Sequence, residues 1–293
     1  MSLFSPDVIT LDFDGSSIRF LLVQGEEVKL WESLALPAEQ MSQGIVHEPA
    51  AVGKGLRELL DRHEVRRGKV VTSVTGLRAI SRVLNLPPVK DRLLEGALRY
   101  RVRQEITLPL DDLDLSWHVV HRSSEGVAVY VLAVPRDAID RQVETLAAAG
   151  LRPKAMDIKP LALARLVEPP SAIVLNLEEH SLSVLVLQDG MPVVARTIPF
   201  GIGRAAAEAR LELLLQELTR TIKFFNEGHR ELPLDASVPL FATGEQFETK
   251  EFVGALARRH PGPVEVPAGT LPHPPDFPTA TYSVNLGLAA KKI

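Results

Sequence analysis

The chain has 293 residues, of which 45% are hydrophobic and 24% are charged, and its formal net charge is −4. This length allows two domains or one large domain, and the acidic balance gives no support for a nucleic-acid-binding surface. The absence of cysteine excludes disulfides and thiol chemistry. No apolar run reaches the length of about 18 residues that is needed to span a membrane. Residues 1–7 lack a signal-peptide pattern, so we expect a cytoplasmic protein.

Two stretches of the chain resemble each other. Residues 9–18 align without a gap to residues 173–182, which lie 164 residues further on. In each copy two apolar runs flank a polar turn, which predicts a β-hairpin, and a third strand follows a second turn. Two similar three-stranded units at this spacing predict two related lobes rather than a solenoid of short repeats.

Between the two repeats, hydrophobic periodicity predicts helices and strands in alternation. In chain order these are a helix over 49–64, strands over 69–74 and 79–86, a helix over 89–105, strands over 115–122 and 127–134, a helix over 136–149 and a strand over 154–158. The last six elements form a β-α-β-β-α-β unit. We interpret residues 1–78 as a first lobe and residues 79–159 as an inserted subdomain.

The predicted helix over 89–105 has one apolar face and one basic face. The polar side chains that recur at helical spacing are Arg92, Glu95, Arg99 and Arg103. This basic face has two interpretations, a solvated helix surface or a surface for an acidic partner.

Residues 160–293 are interpreted as the second lobe. After the second repeat, a long helix is predicted over 204–227, a short strand over 239–242 and helices over 249–259 and 282–291. Residues 261–278 hold seven prolines in eighteen positions, which predicts an irregular and mobile surface segment.

The order of these elements resembles the two-lobed actin-like ATPase fold, which is ribonuclease H-like. The motifs resemble those of the PilM family of type IV pilus assembly proteins, which are related to FtsA. The motifs that carry this resemblance are residues 12–19, 84–89, 94–110, 133–136, 147–153, 157–163 and 282–289. The resemblance implies an actin-like fold with an inserted subdomain. The second lobe would be reduced, because a further subdomain of the family has no room before Phe225.

In actin-like ATPases the two hairpin loops hold the phosphates of the nucleotide. The resemblance implies remnants of nucleotide-binding loops at Asp12, Gly15, Ser16, Ser17, Arg19, Ser181 and Gly244. Where the family has small loop residues, this chain has Asp14 and Glu178, and Asn176 replaces an aspartate. A carboxylate about 4 Å from a phosphate charge costs on the order of 1 kcal/mol in water, and about 4 kcal/mol at an effective dielectric of 20. A third acid, Glu245, follows Gly244 in the adenosine loop.

Three functions follow from the resemblance. The first is a scaffold of a pilus inner-membrane platform without catalytic residues, metal or cofactor. It would bind the cytoplasmic N-terminal peptide of a PilN-like membrane protein, lie peripherally at the inner membrane and allow self-association. The second is an ATPase of the same machinery that binds ATP and magnesium. The third is a sugar kinase, which needs a catalytic acid such as Asp157, but no sugar-binding pattern surrounds that residue.

Overall fold

A computed structural model of the chain describes residues 7–74, 79–106, 108–200, 207–230, 233–235 and 237–292. The chain divides into two compact units, a larger one of Met1–Leu77 with Val143–Ile293 and a smaller one of Arg78–Gln142. In chain order the elements are β1 (Val8–Asp14), β2 (Ser17–Gln24), β3 (Glu27–Ala35), β4 (Met41–Ser42), β5 (Ile45–Val46), α1 (Pro49–Arg62), β6 (Lys69–Val74), β7 (Ile80–Leu86), α2 (Asp91–Glu105), β8 (Leu113–Arg122), β9 (Val127–Pro135), α3 (Arg136–Ala148), β10 (Pro153–Ile158), α4 (Lys159–Ala164), β11 (Ala172–Leu177), β12 (Ser181–Gln188), β13 (Met191–Pro199), α5 (Ala207–Gly228), β14 (Leu240–Thr243), α6 (Lys250–Ala257), β15 (Val264–Glu265) and α7 (Ser283–Ala289).

The larger unit contains two sheets with the same topology. Their strand orders are β10-β6-β1-β2-β3 and β13-β12-β11-β14-β15. In both, a central hairpin pairs with a third antiparallel strand on one side and with two parallel strands on the other. Both have a register shift at the same place in the repeat, between Leu22 and Val23 in the first and between Val186 and Leu187 in the second. The two copies of the repeat therefore form two sheets of the same topology, as their similarity predicts.

Helices α4 and α7 share one hydrophobic core with both sheets of the larger unit. Val71 of β6 and Val174 of β11 belong to this core together with Leu163 of α4 and Val284 of α7. The two helices come into direct backbone contact, because a Cβ placed on Gly287 of α7 would lie 2.0 Å from the carbonyl oxygen of Ala162. The chain thus fixes α4 at the junction of the two repeats.

The proline-rich segment, residues 261–278, crosses to the first sheet. It is irregular apart from the two residues of β15, as predicted. The prediction that the segment lies at the surface is wrong at Phe277, whose side chain is buried and only 5% exposed. The ring of Phe277 packs edge-on against Trp31 of β3 at a centroid distance of 5.1 Å, and the carbonyl of Pro272 accepts a hydrogen bond from Val28 N at 2.9 Å.

The smaller unit is a three-stranded sheet covered by α2. The antiparallel strand order is β7-β9-β8. Leu94, Leu98 and Val102 of α2 pack on the sheet, as the helical spacing predicts. The smaller unit ends at Gln142, whereas the predicted inserted subdomain runs to residue 159. Strand β10, which lies within the predicted range, pairs with β6 of the first sheet.

Most predicted elements are found within two residues of their expected ends. Strand β6 has the predicted bounds, and α2 begins at Asp91, two residues later than predicted. The predicted start of the long helix at residue 204 lies outside the described residues, in which α5 begins at Ala207. Among the residues that the structure describes, no helix combines the length and the apolar character that a membrane crossing needs.

Candidate functional site

The turns of the two repeated hairpins lie against each other. Gly15, in the turn after β1, has a φ of 52°, a conformation that glycine adopts without steric cost. A Cβ on Gly15 would lie 3.5 Å from the ring of His180 and 3.6 Å from the Glu179 carboxylate, both in the turn after β11. The two hairpin turns are thus in contact.

Arg19 binds carboxylates from both repeats. It lies on β2 directly opposite Asp12 of β1. Its Nη1 donates to Asp12 Oδ2 at 3.2 Å and to Glu178 Oε2 at 2.9 Å, and its Nη2 donates to Asp14 Oδ2 at 3.1 Å. Arg19 is 6% exposed, so these ion pairs are shielded from solvent.

Lys159, the first residue of α4, binds the same three carboxylates from another side. Its Nζ lies 3.2 Å from Asp12 Oδ1, 3.3 Å from Asp14 Oδ1 and 3.5 Å from Glu178 Oε1. The five charged residues are all buried. We call this set, namely Asp12, Asp14, Arg19, Lys159 and Glu178, the cleft ion cluster.

Neutral side chains complete the hydrogen bonding of the cleft ion cluster. Ser73, at the end of β6, donates to Asp12 Oδ1 at 2.6 Å. Asn176 donates through Nδ2 to Glu178 Oε1 at 2.6 Å, and Thr243 of β14 donates to Asn176 Oδ1 at 2.9 Å. Buried charges are tolerated where their remaining hydrogen-bonding capacity is satisfied in this way. The cluster is therefore supported from both sheets.

The charges of the cleft ion cluster balance when one proton is bound. Burial, followed by repulsion from Glu178, raises the pKa of Asp14 to about 8, against the attraction of Lys159 and Arg19. Burial also disfavours the charge of Glu178, but Arg19 and Lys159 hold its pKa well below the usual range. A pKa of about 8 assigns this proton to Asp14 at neutral pH. Two carboxylates then face two cations.

Little space remains between the loops. The cavity lined by Asp14, Lys159, Asn176 and Ser181, among others, measures about 20 Å³. That space holds about one water molecule, whereas pockets for small molecules measure roughly 300–1,000 Å³. As arranged here, the residues do not fit Mg-ATP, because the cations are already paired and the space between the loops is small.

The structure brings the predicted nucleotide-loop remnants together but gives most of them internal partners. Asp12 and Arg19 belong to the cleft ion cluster, and the Ser17 hydroxyl donates to the Asp14 carbonyl at 3.3 Å. Gly244, with a φ of 104°, packs so closely that a Cβ would lie 2.0 Å from Leu177 O. Ser16 accepts a backbone hydrogen bond from Leu36 N at 2.8 Å.

Sequence reasoning missed the role of Lys159. It identified the extra carboxylates Asp14 and Glu178 but assigned no cation to balance them, and it gave Arg19 only as a remnant of a nucleotide-binding loop. The sequence held a partial signal, because Lys159 is followed by the apolar run of residues 160–164, which the structure buries as part of α4. A lysine in such a helix needs a buried anionic partner.

Asp157, the acid on which the sugar-kinase interpretation depended, is also paired internally. Its Oδ2 lies 2.6 Å from Arg165 Nη2 and 3.0 Å from Lys291 Nζ. Two cations thus pair with this buried carboxylate. Within the described ranges, no group of His, Asp and Glu side chains is arranged to hold a metal ion.

Comparison with known proteins confirms the fold expected from the resemblance. A family model described as type IV pilus assembly protein PilM matches residues 11–201. A solved PilM-PilN type IV pilus biogenesis complex is similar with a TM-score of 0.80 at 22% identity, over 96% of this chain and 97% of that chain.

Two further structures have the same fold at lower similarity. The cytoplasmic domain of EpsL, an inner-membrane component of the type II secretion system of Vibrio cholerae, has a TM-score of 0.56 at 16% identity, over 98% of this chain and 96% of that chain. A Bacteroides thetaiotaomicron protein with an actin-like ATPase fold and unknown function has a TM-score of 0.54 at 9% identity, over 99% and 100%.

Proposed function

Since the chain belongs to the PilM family of type IV pilus assembly proteins, we propose that it is a cytoplasmic scaffold of a pilus inner-membrane platform. It binds the N-terminal cytoplasmic peptide of a PilN-like membrane protein, and it does so without binding or hydrolysing ATP. The similarity to a solved PilM-PilN complex supports the partner. The single observation that carries the nucleotide-independent part is the cleft ion cluster.

The cleft ion cluster lies between the two hairpin turns, where the resemblance to actin-like ATPases implies that phosphates would bind. A phosphate that entered between the loops would compete with Glu178 and Asp14 for Arg19 and Lys159, which already lie 2.9–3.5 Å from those carboxylates. The displaced Glu178 carboxylate would stay nearby as a like charge in a poorly solvated place. Entry of ATP is therefore opposed both by charge and by lack of volume.

The ion pairs of the cleft ion cluster also connect the two repeats, as a nucleotide bound between the loops would. Arg19 lies on the first sheet and Glu178 follows β11 of the second, so their ion pair joins the two repeats of the larger unit. Lys159 adds a second link from α4 to the same carboxylate. A scaffold with this connection presents one conformation to its partner without a nucleotide cycle.

Isothermal titration of the full chain with Mg-ATP tests the nucleotide-independent part. We expect no binding at millimolar ATP. The matched variant carries Asp14→Gly and Glu178→Gly, which leaves Arg19 and Lys159 with Asp12 as their one carboxylate in the cluster and enlarges the cleft. We expect it to gain affinity for ATP or pyrophosphate. Micromolar binding by the unchanged protein would refute the proposal and favour the ATPase alternative.

Capture of the partner tests the scaffold itself. The full chain should retain a PilN-like single-span membrane protein encoded nearby, and a synthetic peptide of that protein's cytoplasmic N-terminus should compete for it. Retention should be equal without nucleotide, with Mg-ADP and with Mg-ATP, because the cleft ion cluster takes no nucleotide. Failure to retain the partner, or retention that requires ATP, would contradict the proposal.

A further inference from the structure

The solvent-facing side of α2 in the smaller unit combines basic and apolar side chains. Its opposite side packs Leu94, Leu98 and Val102 on the sheet. The residues that share the solvent-facing side, at spacings of three and four, are Arg92, Leu93, Gly96, Arg99, Tyr100 and Arg103. We call these six residues the α2 face.

Two large apolar side chains on the α2 face are unusually exposed. Leu93 is 54% exposed and Tyr100 is 66% exposed. They lie three residues before and four residues after Gly96 and therefore border it on the same side of the helix. Since Gly96 has no side chain, the two form the walls of a notch one residue wide.

Packing within the chain does not explain the glycine at position 96. A Cβ placed on Gly96 meets no atom within 4 Å, and glycine inside a helix is less stable than alanine. By contrast, internal packing requires glycine at positions 287 and 244. A Cβ on Gly287 or Gly244 would lie 2.0 Å from a backbone carbonyl oxygen. A glycine that weakens its helix without serving internal packing suits the close approach of another molecule.

The charge of the α2 face is unbalanced. Arg99 pairs with Glu95 at 3.0 Å. In the part of the chain that the structure describes, neither Arg92 nor Arg103 has a carboxylate at ion-pair distance. Of the three arginines on the α2 face, one is paired with a carboxylate. The other two, Arg92 and Arg103, are available to pair with an acidic group of another molecule.

The composition of the α2 face fits a protein segment better than a lipid surface. Tyrosine and arginine are the side chains most enriched among residues that dominate protein–protein binding. The notch accommodates one apolar side chain, whereas a bilayer offers no single protruding group. Asp111 and Asp112, exposed soon after the end of α2, would also repel anionic headgroups.

We propose that the α2 face docks an acidic segment of a partner protein. Carboxylates of that segment pair with Arg92 and Arg103, and one apolar side chain sits over Gly96 between Leu93 and Tyr100. This binding site goes beyond the proposed scaffold function, because it uses none of the residues of the cleft ion cluster and recognises a partner by acidic charge.

Fluorescence anisotropy with the full chain tests the docking site. The probe is a short labelled peptide in which glutamates flank a single leucine, and a peptide with lysines in place of the glutamates serves as its counterpart. We expect saturable binding of the acidic peptide that weakens as salt rises, and no binding of the lysine peptide.

Substitutions on the α2 face separate docking from folding. Gly96→Gln fills the notch with a good helix former, so it should weaken binding about tenfold without lowering the melting temperature. The double variant Arg92→Ser with Arg103→Ser should lose binding at least as strongly. Arg82→Ser, an exposed arginine on β7, is the control and should leave affinity unchanged.

Three outcomes would overturn the proposal. They are absence of binding by the unchanged protein, equal binding by the Gly96→Gln variant, and binding of vesicles rich in phosphatidylglycerol in place of the acidic peptide. None of these results bears on the Mg-ATP titration, because the α2 face and the cleft ion cluster share no residue.

Discussion

Arg19 Nη1 donates to Glu178 Oε2 at 2.9 Å, and the two residues come from different copies of the internal repeat. The same guanidinium holds Asp12 and Asp14 of its own hairpin. Arg19 is therefore the residue through which both repeats share one buried charge network. Its removal would leave Lys159 as the remaining cation of the cleft ion cluster.

Arg19→Met should destabilise the protein strongly. Methionine keeps much of the side-chain volume but leaves the three buried carboxyl groups of the cluster facing Lys159 as their one cation. Breaking a buried ion pair by removing one partner costs about 3–5 kcal/mol, so we expect the free energy of unfolding in urea to fall by about that amount.

Arg57→Met is the matched control for this prediction. Arg57 forms an i,i+4 pair with Asp61 at 2.6 Å on the surface of α1, with 43% of its side chain exposed. Exposed pairs of this kind contribute about 0.5 kcal/mol or less. If both variants lost the same small amount, the cleft ion cluster would not contribute to stability as the geometry indicates.

The proton on Asp14 should make stability depend on pH. The pKa of Asp14 rises from 3.8 to about 8 on folding, mainly because of burial. The folded state therefore keeps a proton that the unfolded chain has released, and between about pH 4 and about pH 8 this contribution to the free energy of unfolding falls as pH rises. The lowered pKa of Glu178 acts in the opposite direction, but at acid pH.

Asp14→Asn isolates this effect, because asparagine has nearly the shape of the protonated acid and does not ionise. Urea unfolding from about pH 6 to about pH 9 should show a smaller loss of stability in the variant than in the unchanged protein. Asp111→Asn, at an exposed position, should follow the unchanged protein. Parallel curves for Asp14→Asn and the unchanged protein would contradict the prediction.

The fold was more predictable than the cleft. The repeat at residues 9–18 and 173–182 predicted paired lobes, because both copies have the same alternation of apolar runs and turns, and each copy forms a hairpin in the same register. The sequence also singled out the acids Asp14 and Glu178, which both belong to the cleft ion cluster. Local pattern was sufficient for these points.

The partners of those acids could not be deduced from local pattern. Lys159 is 145 residues from Asp14 in the chain, and only the tertiary fold brings α4 to the loops. The burial of Phe277 was missed for the same reason, since proline content describes the backbone of a segment but not where one aromatic ring packs. Both the ion pairs of Lys159 and the burial of Phe277 depend on contacts between residues that are far apart in the sequence.

Phe277→Ala should show how firmly the proline-rich segment is held. The ring is buried against Trp31 and lies 5.5 Å from the Tyr282 ring, and truncation of a buried phenylalanine costs about 3–5 kcal/mol. The chain has two tryptophans, so emission of the folded variant should also shift to longer wavelength as Trp31 gains contact with water. Phe224→Ala, at a 67% exposed position, should change neither stability nor emission.

Gly287→Ala should disturb the junction that positions Lys159. The added methyl group would lie 2.0 Å from the carbonyl oxygen of Ala162 in α4, so the two helices must move apart. Overpacking of this kind costs about 1–3 kcal/mol, and any movement of α4 also moves Lys159 relative to the loops. We expect a lower urea midpoint, and faster hydrogen exchange in β1 and β2 than in the unchanged protein.

Gly254→Ala is the control for this last substitution, because the nearest atom to its added methyl group is the flexible end of Arg258 at 3.6 Å. Alanine favours the helix there, so stability should rise by about 0.5–1 kcal/mol. If Gly287→Ala were equally stable, the contact between α4 and α7 would not be tight. If it were less stable but exchange in β1 and β2 were unchanged, α4 would not transmit the disturbance to the cleft ion cluster.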